Sequence, residues 1–225
     1  MANIRFHPNH DLLSRYACGE LESSSSIVLS AHLEFCPHCR QKMASIETEQ
    51  ASQLEKSIPA ELSPSMNAMM MDIMNHQPTD LPVVDDIIDN QLSLEGKAYP
   101  LPSALQRHND KIGPWSRLPG NIKRAQIEVS GDSKMNFIYM DSDSSLPEHT
   151  HQGQEITLVL AGEFYDENGT YRPGDFIVQT EEHKHIPRTR QGQDCLCLTL
   201  LSAPLHFTSG LATLLNPFSQ LFFRR

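Results

Sequence analysis

Along residues 9–56 apolar side chains recur every three or four positions, the period of helices that bury one face. Asn9 to Tyr16 sets Leu12, Leu13 and Tyr16 on one side and stops near Gly19. Ser23 to Ser26 supplies caps for a second helix, in which Ile27, Leu29 and Leu33 recur. A third follows Pro37, with Met43, Ile46 and Leu54 at helical spacing through Arg40 to Lys56 and Pro59 closing it. After a Pro- and Ser-rich stretch at 57–67, Ser65 to His76 predicts a fourth helix carrying Met66, Met69, Met70, Met71, Ile73 and Met74. Methionine suits adaptable contact surfaces, so this helix either packs in the chain's own core or docks on a partner.

Past Tyr99 the texture changes to short apolar runs broken by Gly, Asp, Ser and Pro, the signature of β-structure. Expected strands are Ala125 to Val129, Met135 to Met140, Glu155 to Leu160, Glu163 to Tyr165, Thr170 to Tyr171, Asp175 to Gln179 and Cys195 to Leu201. Asp166-Glu-Asn-Gly169 is a hairpin turn, and many short antiparallel strands indicate a sandwich or barrel. The expected organisation is therefore α then β: a helical unit at 1–80, a connection at 81–98, and a β-barrel at 99–225. The apolar stretch Leu211 to Phe223, broken by Pro217, either covers a barrel edge or makes an oligomer contact.

Charge is divided unevenly. Residues 1–90 hold 5 Lys and Arg against 13 Asp and Glu, the remainder 13 against 15. With no basic stripe to displace counterions from phosphate, direct nucleic-acid binding is not expected. The acidic first half suits a basic protein partner, or is simply a solvated surface. No run of eighteen apolar residues and no signal-like N-terminus occurs, so a cytoplasmic location without membrane insertion is expected. Five cysteines in such a chain argue against a disulfide framework. Cys18, Cys195 and Cys197 read as free thiols, the last two as small core residues on one strand face.

Two constellations carry chemistry. In His32-Leu-Glu-Phe-Cys36-Pro-His-Cys39 three metal ligands can converge, because a helix to Phe35 sets His32 and Cys36 one turn apart and Cys-x-x-Cys wraps a tight turn. Competing readings are two buried cysteines beside a surface histidine, or a redox pair, which would want a preceding strand. In His149-x-His151-x3-Glu155 all three positions share parity and can point into a barrel. Gly162 ends that strand; Pro173-Gly174-Asp175 turns the chain into another, with His183 and His185 beyond. Three histidines and a glutamate suit Zn, Mn, Fe or Ni alike.

The second constellation resembles the cupin superfamily. The first cupin motif, G-x5-H-x-H-x3,4-E-x6-G, is matched by His149, His151, Glu155 and Gly162, without its opening glycine. The second, G-x5-P-x-G-x2-H, is matched at its ends by Gly174 and His185, while Thr180 and Glu182 stand where Pro and Gly are usual. The resemblance implies His185 as the fourth metal ligand, with His183 as the alternative.

The helical His-x3-Cys-x2-Cys unit resembles the zinc-binding anti-sigma domain of bacterial regulators. In that family the fourth ligand is an upstream histidine, matched by His7, with His10 and Cys18 as alternatives. The two units in this order resemble ChrR-type anti-sigma factors, from about His7 to Leu201. That resemblance implies Zn2+ at the first site and a second Zn2+ or other divalent metal in the barrel. It further implies an extracytoplasmic-function (ECF) sigma factor held inactive and released by singlet oxygen or organic peroxide. Met69, Met70, Met71 and Met74 are the contact residues expected on that reading, and residues 77–98 the linkage. The rival class is a metal-dependent cupin enzyme, such as a dioxygenase, with a helical accessory unit.

Overall fold

A computed structural model describes residues 3–58, 61–76, 91–208 and 210–216. The four expected helices are α1 (His10–Ala17), α2 (Ser23–Phe35), α3 (Pro37–Glu55) and α4 (Pro64–Asn75). Asn9 caps α1 by accepting from the Leu12 amide at 2.9 Å. Cys36 has extended φ/ψ (−108°, 97°), which ends α2 and lets Pro37 open α3 at its first position. Helix α2 buries Val28, Leu29, Ala31 and His32, while α4 buries nothing. Of the two alternatives for the methionine helix, packing within the chain's own core is thus not what the described residues do.

The hairpin of β1 (Gln91–Leu94) and β2 (Lys97–Pro100) comes next. Glu95 and Gly96 both have left-handed φ (51° and 74°), as a two-residue hairpin turn requires. Residues 91–98, expected within a connection, therefore pair as strands, and 77–90 lie outside the described residues. Lys97, Tyr99 and Tyr139 all meet the Asp194 carboxylate, fastening the hairpin to the barrel. A short helix, α5 (Ser103–Gln106), leads into the barrel.

The barrel strands are β3 (Ser116–Leu118), β4 (Ile122–Ile127), β5 (Lys134–Met140), β6 (His149–His151), β7 (Glu155–Gly162), β8 (Phe164–Asp166), β9 (Gly169–Tyr171), β10 (Phe176–Gln179), β11 (Cys195–Leu201) and β12 (Leu205–Phe207). Six form one antiparallel sheet in the order β10-β7-β11-β5-β4-β3; β12 pairs with β6 and β8 with β9. The expected strand at 125–129 begins earlier, at Ile122, because left-handed Gly120 and Asn121 turn the chain there. Strand β7 is buried on both faces and reads as a near-continuous apolar run. At its end Gly162 (φ 71°) lies against the Asp194 carbonyl, leaving no room for a Cβ.

One apolar cluster runs from Val28 and Leu29 of α2 into Phe137, Leu196 and Leu198 of the sheet, so helices and barrel share a core. Polar contacts fasten the same junction. The Glu34 carboxylate accepts from the amides of Ser103 and Ala104 at the start of α5, and Glu22 accepts from the Ser133 hydroxyl. Asp175, just before β10, accepts from the amides of Arg5 and Phe6. The expected apolar tail is described only as a 3-10 turn at Gly210–Leu215, and its residues 217–223 lie outside the described ones.

Candidate metal centres

His7, His32, Cys36 and Cys39 each offer one ligand atom, and these atoms lie within 4.8 Å of one another. The His7 Nδ1 is 3.4 Å from both the Cys36 and Cys39 sulfurs. Tetrahedral bonds of about 2.3 Å to sulfur and about 2.0 Å to nitrogen put such atoms roughly 3.5 Å apart. Local folding explains the convergence. The Cys36 sulfur caps α3 by accepting from the Cys39 amide, and Cys36 N–H closes the last turn of α2 on the His32 carbonyl. His32 Nδ1 donates to the Gly174 carbonyl at 2.8 Å, leaving Nε2 buried and without a protein partner. Burial holds this imidazole down at about 4, so it is neutral at pH 7 and Nε2 carries a lone pair. Burial and the neighbouring Cys36 push the Cys39 thiol up to about 12, a tendency a bound divalent cation reverses. Of the alternatives, His10 is exposed and contacts Ser14, and Cys18 is exposed beside Gln50. Neither joins the cluster.

In the barrel, His149, His151 and His185 bring ring nitrogens within 4.8 Å of one another, all buried. His149 and His185 face each other across a backbone bridge, and their Nε2 atoms are 3.0 Å apart. The shared parity of His149 and His151 on β6 sends both inward, while Thr150 between them bonds the Glu181 carbonyl. His149 Nδ1 donates to the Pro147 carbonyl at 2.9 Å, and burial holds its imidazole at about 4. Glu155 stands at the mouth of β7, with Oε2 3.1 Å from His151 Nδ1 and Oε1 accepting from the Thr157 hydroxyl. The surrounding histidines hold its carboxyl at about 2 despite burial. His151 Nε2 has no protein partner. Buried nitrogens that face one another without donors between them suit a cation at their centre. His183 is exposed and bonds Thr180, so it takes no part.

One residue that sequence reasoning missed is Asp166, read as a turn former. Its Oδ2 accepts from His185 Nδ1 at 3.0 Å, and its Oδ1 from the Tyr171 hydroxyl and the amides of Asn168 and Gly169. Donation from Nδ1 leaves His185 Nε2 as the atom that faces the site.

Residues 107–203 match the ChrR Cupin-like domain family. The anti-sigma-E factor ChrR of Cereibacter sphaeroides is 30% identical over 218 residues, covering 97% of this chain and 99% of that protein. The chain belongs to the ChrR family of anti-sigma factors. The crystal structure of Rhodobacter sphaeroides SigE in complex with the anti-sigma ChrR matches with a TM-score of 0.71 at 28% identity, over 88% of this chain and all of that one. The cupin barrel expected from the two motifs is thereby borne out.

In this ChrR-family chain a cavity of about 200 Å³ opens beside the barrel histidines. Leu118, Ile122, Met140, Phe164 and Phe207 line it, with His149, Glu155 and His185 in the wall. Cys197 lines the cavity as well, its sulfur 3.5 Å from that of Cys195, and both side chains lie in the barrel's apolar cluster, as their shared strand face predicted. Among the described residues no helix is long and apolar enough to cross a membrane.

Proposed function

We propose that this chain sequesters an ECF-type sigma factor in the cytoplasm with residues 1–80 and releases it when an oxidant acts at the barrel of residues 99–225, with no catalytic turnover. The observation that carries the reading is α4. Met66, Met69, Met70, Ile73 and Met74 stand 42–72% exposed on it, which is surface kept for a partner rather than for water. The acidic first half of the chain complements a basic partner. The likeness to SigE-bound ChrR supports the same partner class.

His7, Cys36 and Cys39 would hold Zn2+ together with His32 in the helical unit, where two thiolates and two imidazoles suit that ion. A closed site of this kind supplies folding energy rather than chemistry. His149, His151, His185 and Glu155 would hold a second Zn2+ or another divalent ion in the barrel, which would supply Lewis acidity toward an oxygen ligand. Clamping by the helices competes with RNA polymerase for the sigma factor's surfaces, and oxidant shifts the balance by favouring a barrel state that clamps less well.

The test is purification of the chain from its native cell extract, followed by identification of bound proteins. A stoichiometric ECF-type sigma factor that dissociates on peroxide treatment is expected. Recovery of the chain with no sigma factor would overturn the reading.

A further inference from the structure

We propose that the turn joining β9 to β10 is the outer shell of the helical metal site, making Gly174 and Asp175 positioning residues for its ligands. The proposal rests on the zinc reading of the His7, His32, Cys36 and Cys39 cluster and adds the barrel to it.

Two of the four ligands are fixed by the barrel. His32 Nδ1 donates to the Gly174 carbonyl at 2.8 Å, which selects Nε2 for the site, and the Phe176 ring packs edge-on against the imidazole with centroids 5.4 Å apart. His7 follows a backbone segment that has no helix to hold it. Asp175 Oδ1 accepts from the Arg5 amide at 2.8 Å and from Phe6 at 3.2 Å, and the Phe6 carbonyl accepts from the Phe176 amide at 3.0 Å. Asp175 also ties its own turn, through Oδ2 to the Arg172 amide. Gly174 has φ 93°, and a Cβ there would stand 2.5 Å from the Ile4 Cδ1 and 3.0 Å from the Phe35 Cβ. Only glycine lets the turn approach the ligand-bearing segments this closely.

The same turn is joined to the barrel histidines by two short routes. Strand β10 runs from Asp175 to Gln179, whose side-chain amide is 2.9 Å from His185 Nδ1. Tyr171, on the other side of the turn, bonds Asp166, the partner of His185, and its ring packs on Phe6 with centroids 4.8 Å apart. A rearrangement around His185 thus reaches both ends of the turn that orients His7 and His32. This contact joins the two sites directly; of the linkage expected at 77–98, residues 77–90 lie outside the described residues.

The test is cobalt titration of the full-length protein, read by thiolate-to-cobalt charge-transfer absorption, which marks the cluster with Cys36 and Cys39 because the barrel cluster holds no cysteine, then displacement by Zn2+. Outer partners of metal-bound histidines are worth about 10- to 100-fold in affinity. Asp175→Asn and Gly174→Ala should each lower Co2+ and Zn2+ affinity at that site within this range. Glu22→Gln, which loosens the helix–barrel junction at the opposite end of α2 from the ligands, should leave it unchanged. A band with unchanged affinity in both variants, or an equal loss in Glu22→Gln, would overturn the proposal while leaving the zinc reading intact. Absence of the band in the parent protein would instead remove the zinc reading and the proposal with it.

Discussion

His185 Nδ1 donates to Asp166 Oδ2 at 3.0 Å, and this one bond decides which nitrogen of His185 faces His149. The carboxylate is also held by Tyr171 and two backbone amides, and its pKa is lowered, against the opposing effect of burial, first by His185 and then by Asn168 N–H and the Tyr171 hydroxyl. Removing it leaves the imidazole free to adopt the other tautomer or to rotate. Asp166→Ala should therefore weaken divalent-metal binding in the barrel by about 10- to 100-fold. Calorimetric titration of the variant beside the parent measures this, and parental affinity in the variant would refute it.

That bond also marks where sequence stopped being informative. His149, His151 and Glu155 were legible because strand parity forces same-face placement, and His32, Cys36 and Cys39 because helical spacing does. Asp166 lies nineteen positions from its partner, and nothing local separates a buried carboxylate acceptor from an ordinary hairpin turn. His7 and His10 could not be separated by local spacing alone either. What separates them is Asp175, about 170 residues away, which pins Arg5 and Phe6 and so aims the next residue. The hairpin at 91–100 was hidden by its short strands, with only Leu92, Leu94 and Tyr99 turned to the core.

The hairpin's anchor gives a pH prediction. Lys97 and the hydroxyls of Tyr99 and Tyr139 converge on Asp194, and these donors lower its carboxyl pKa against the effect of burial. A carboxyl whose folded pKa is below its unfolded value stabilises the fold above the unfolded value, near 4, and loses that contribution as pH falls through the folded one. Asp194→Asn should cost about 1.5–3 kcal/mol at pH 7, the range for hydrogen bonds to a charged group, and the difference from the parent should vanish on acidification. Urea unfolding at a series of pH values from 7 downward reads both; a difference that does not shrink as pH falls below the unfolded value would contradict the assignment.

Metal removal should act unequally on the two halves. Helix α1 packs on α3 with Leu13 buried, but His7 lies before α1 outside any helix and Cys36 at the break between α2 and α3, so a metal there would tie separate elements together. A chelator, or Cys39→Ala, should melt helical signal in far-ultraviolet circular dichroism while the barrel keeps its near-ultraviolet aromatic signal. Simultaneous loss of both would mean that the shared core, rather than the metal, decides the stability of the helices.

Position along α4 gives the finest prediction. Met66, Met69, Met70, Ile73 and Met74 follow i, i+3, i+4, i+7 and i+8, a single stripe, whereas Met71 falls beside it. All are exposed, so substitution should leave the fold's stability within about 0.5 kcal/mol. If the stripe buries against a sigma factor, each methionine contributes on the order of 1.5–3 kcal/mol, or roughly 10- to 100-fold in Kd. Met70→Glu and Met74→Glu should each weaken binding to that extent, because they add a charge to an apolar contact. Met71→Glu, though equally exposed, should weaken binding less. Binding measured by calorimetry against the sigma factor recovered with the native protein tests the order, and equal losses at Met70 and Met71 would show that α4 meets its partner on a different face.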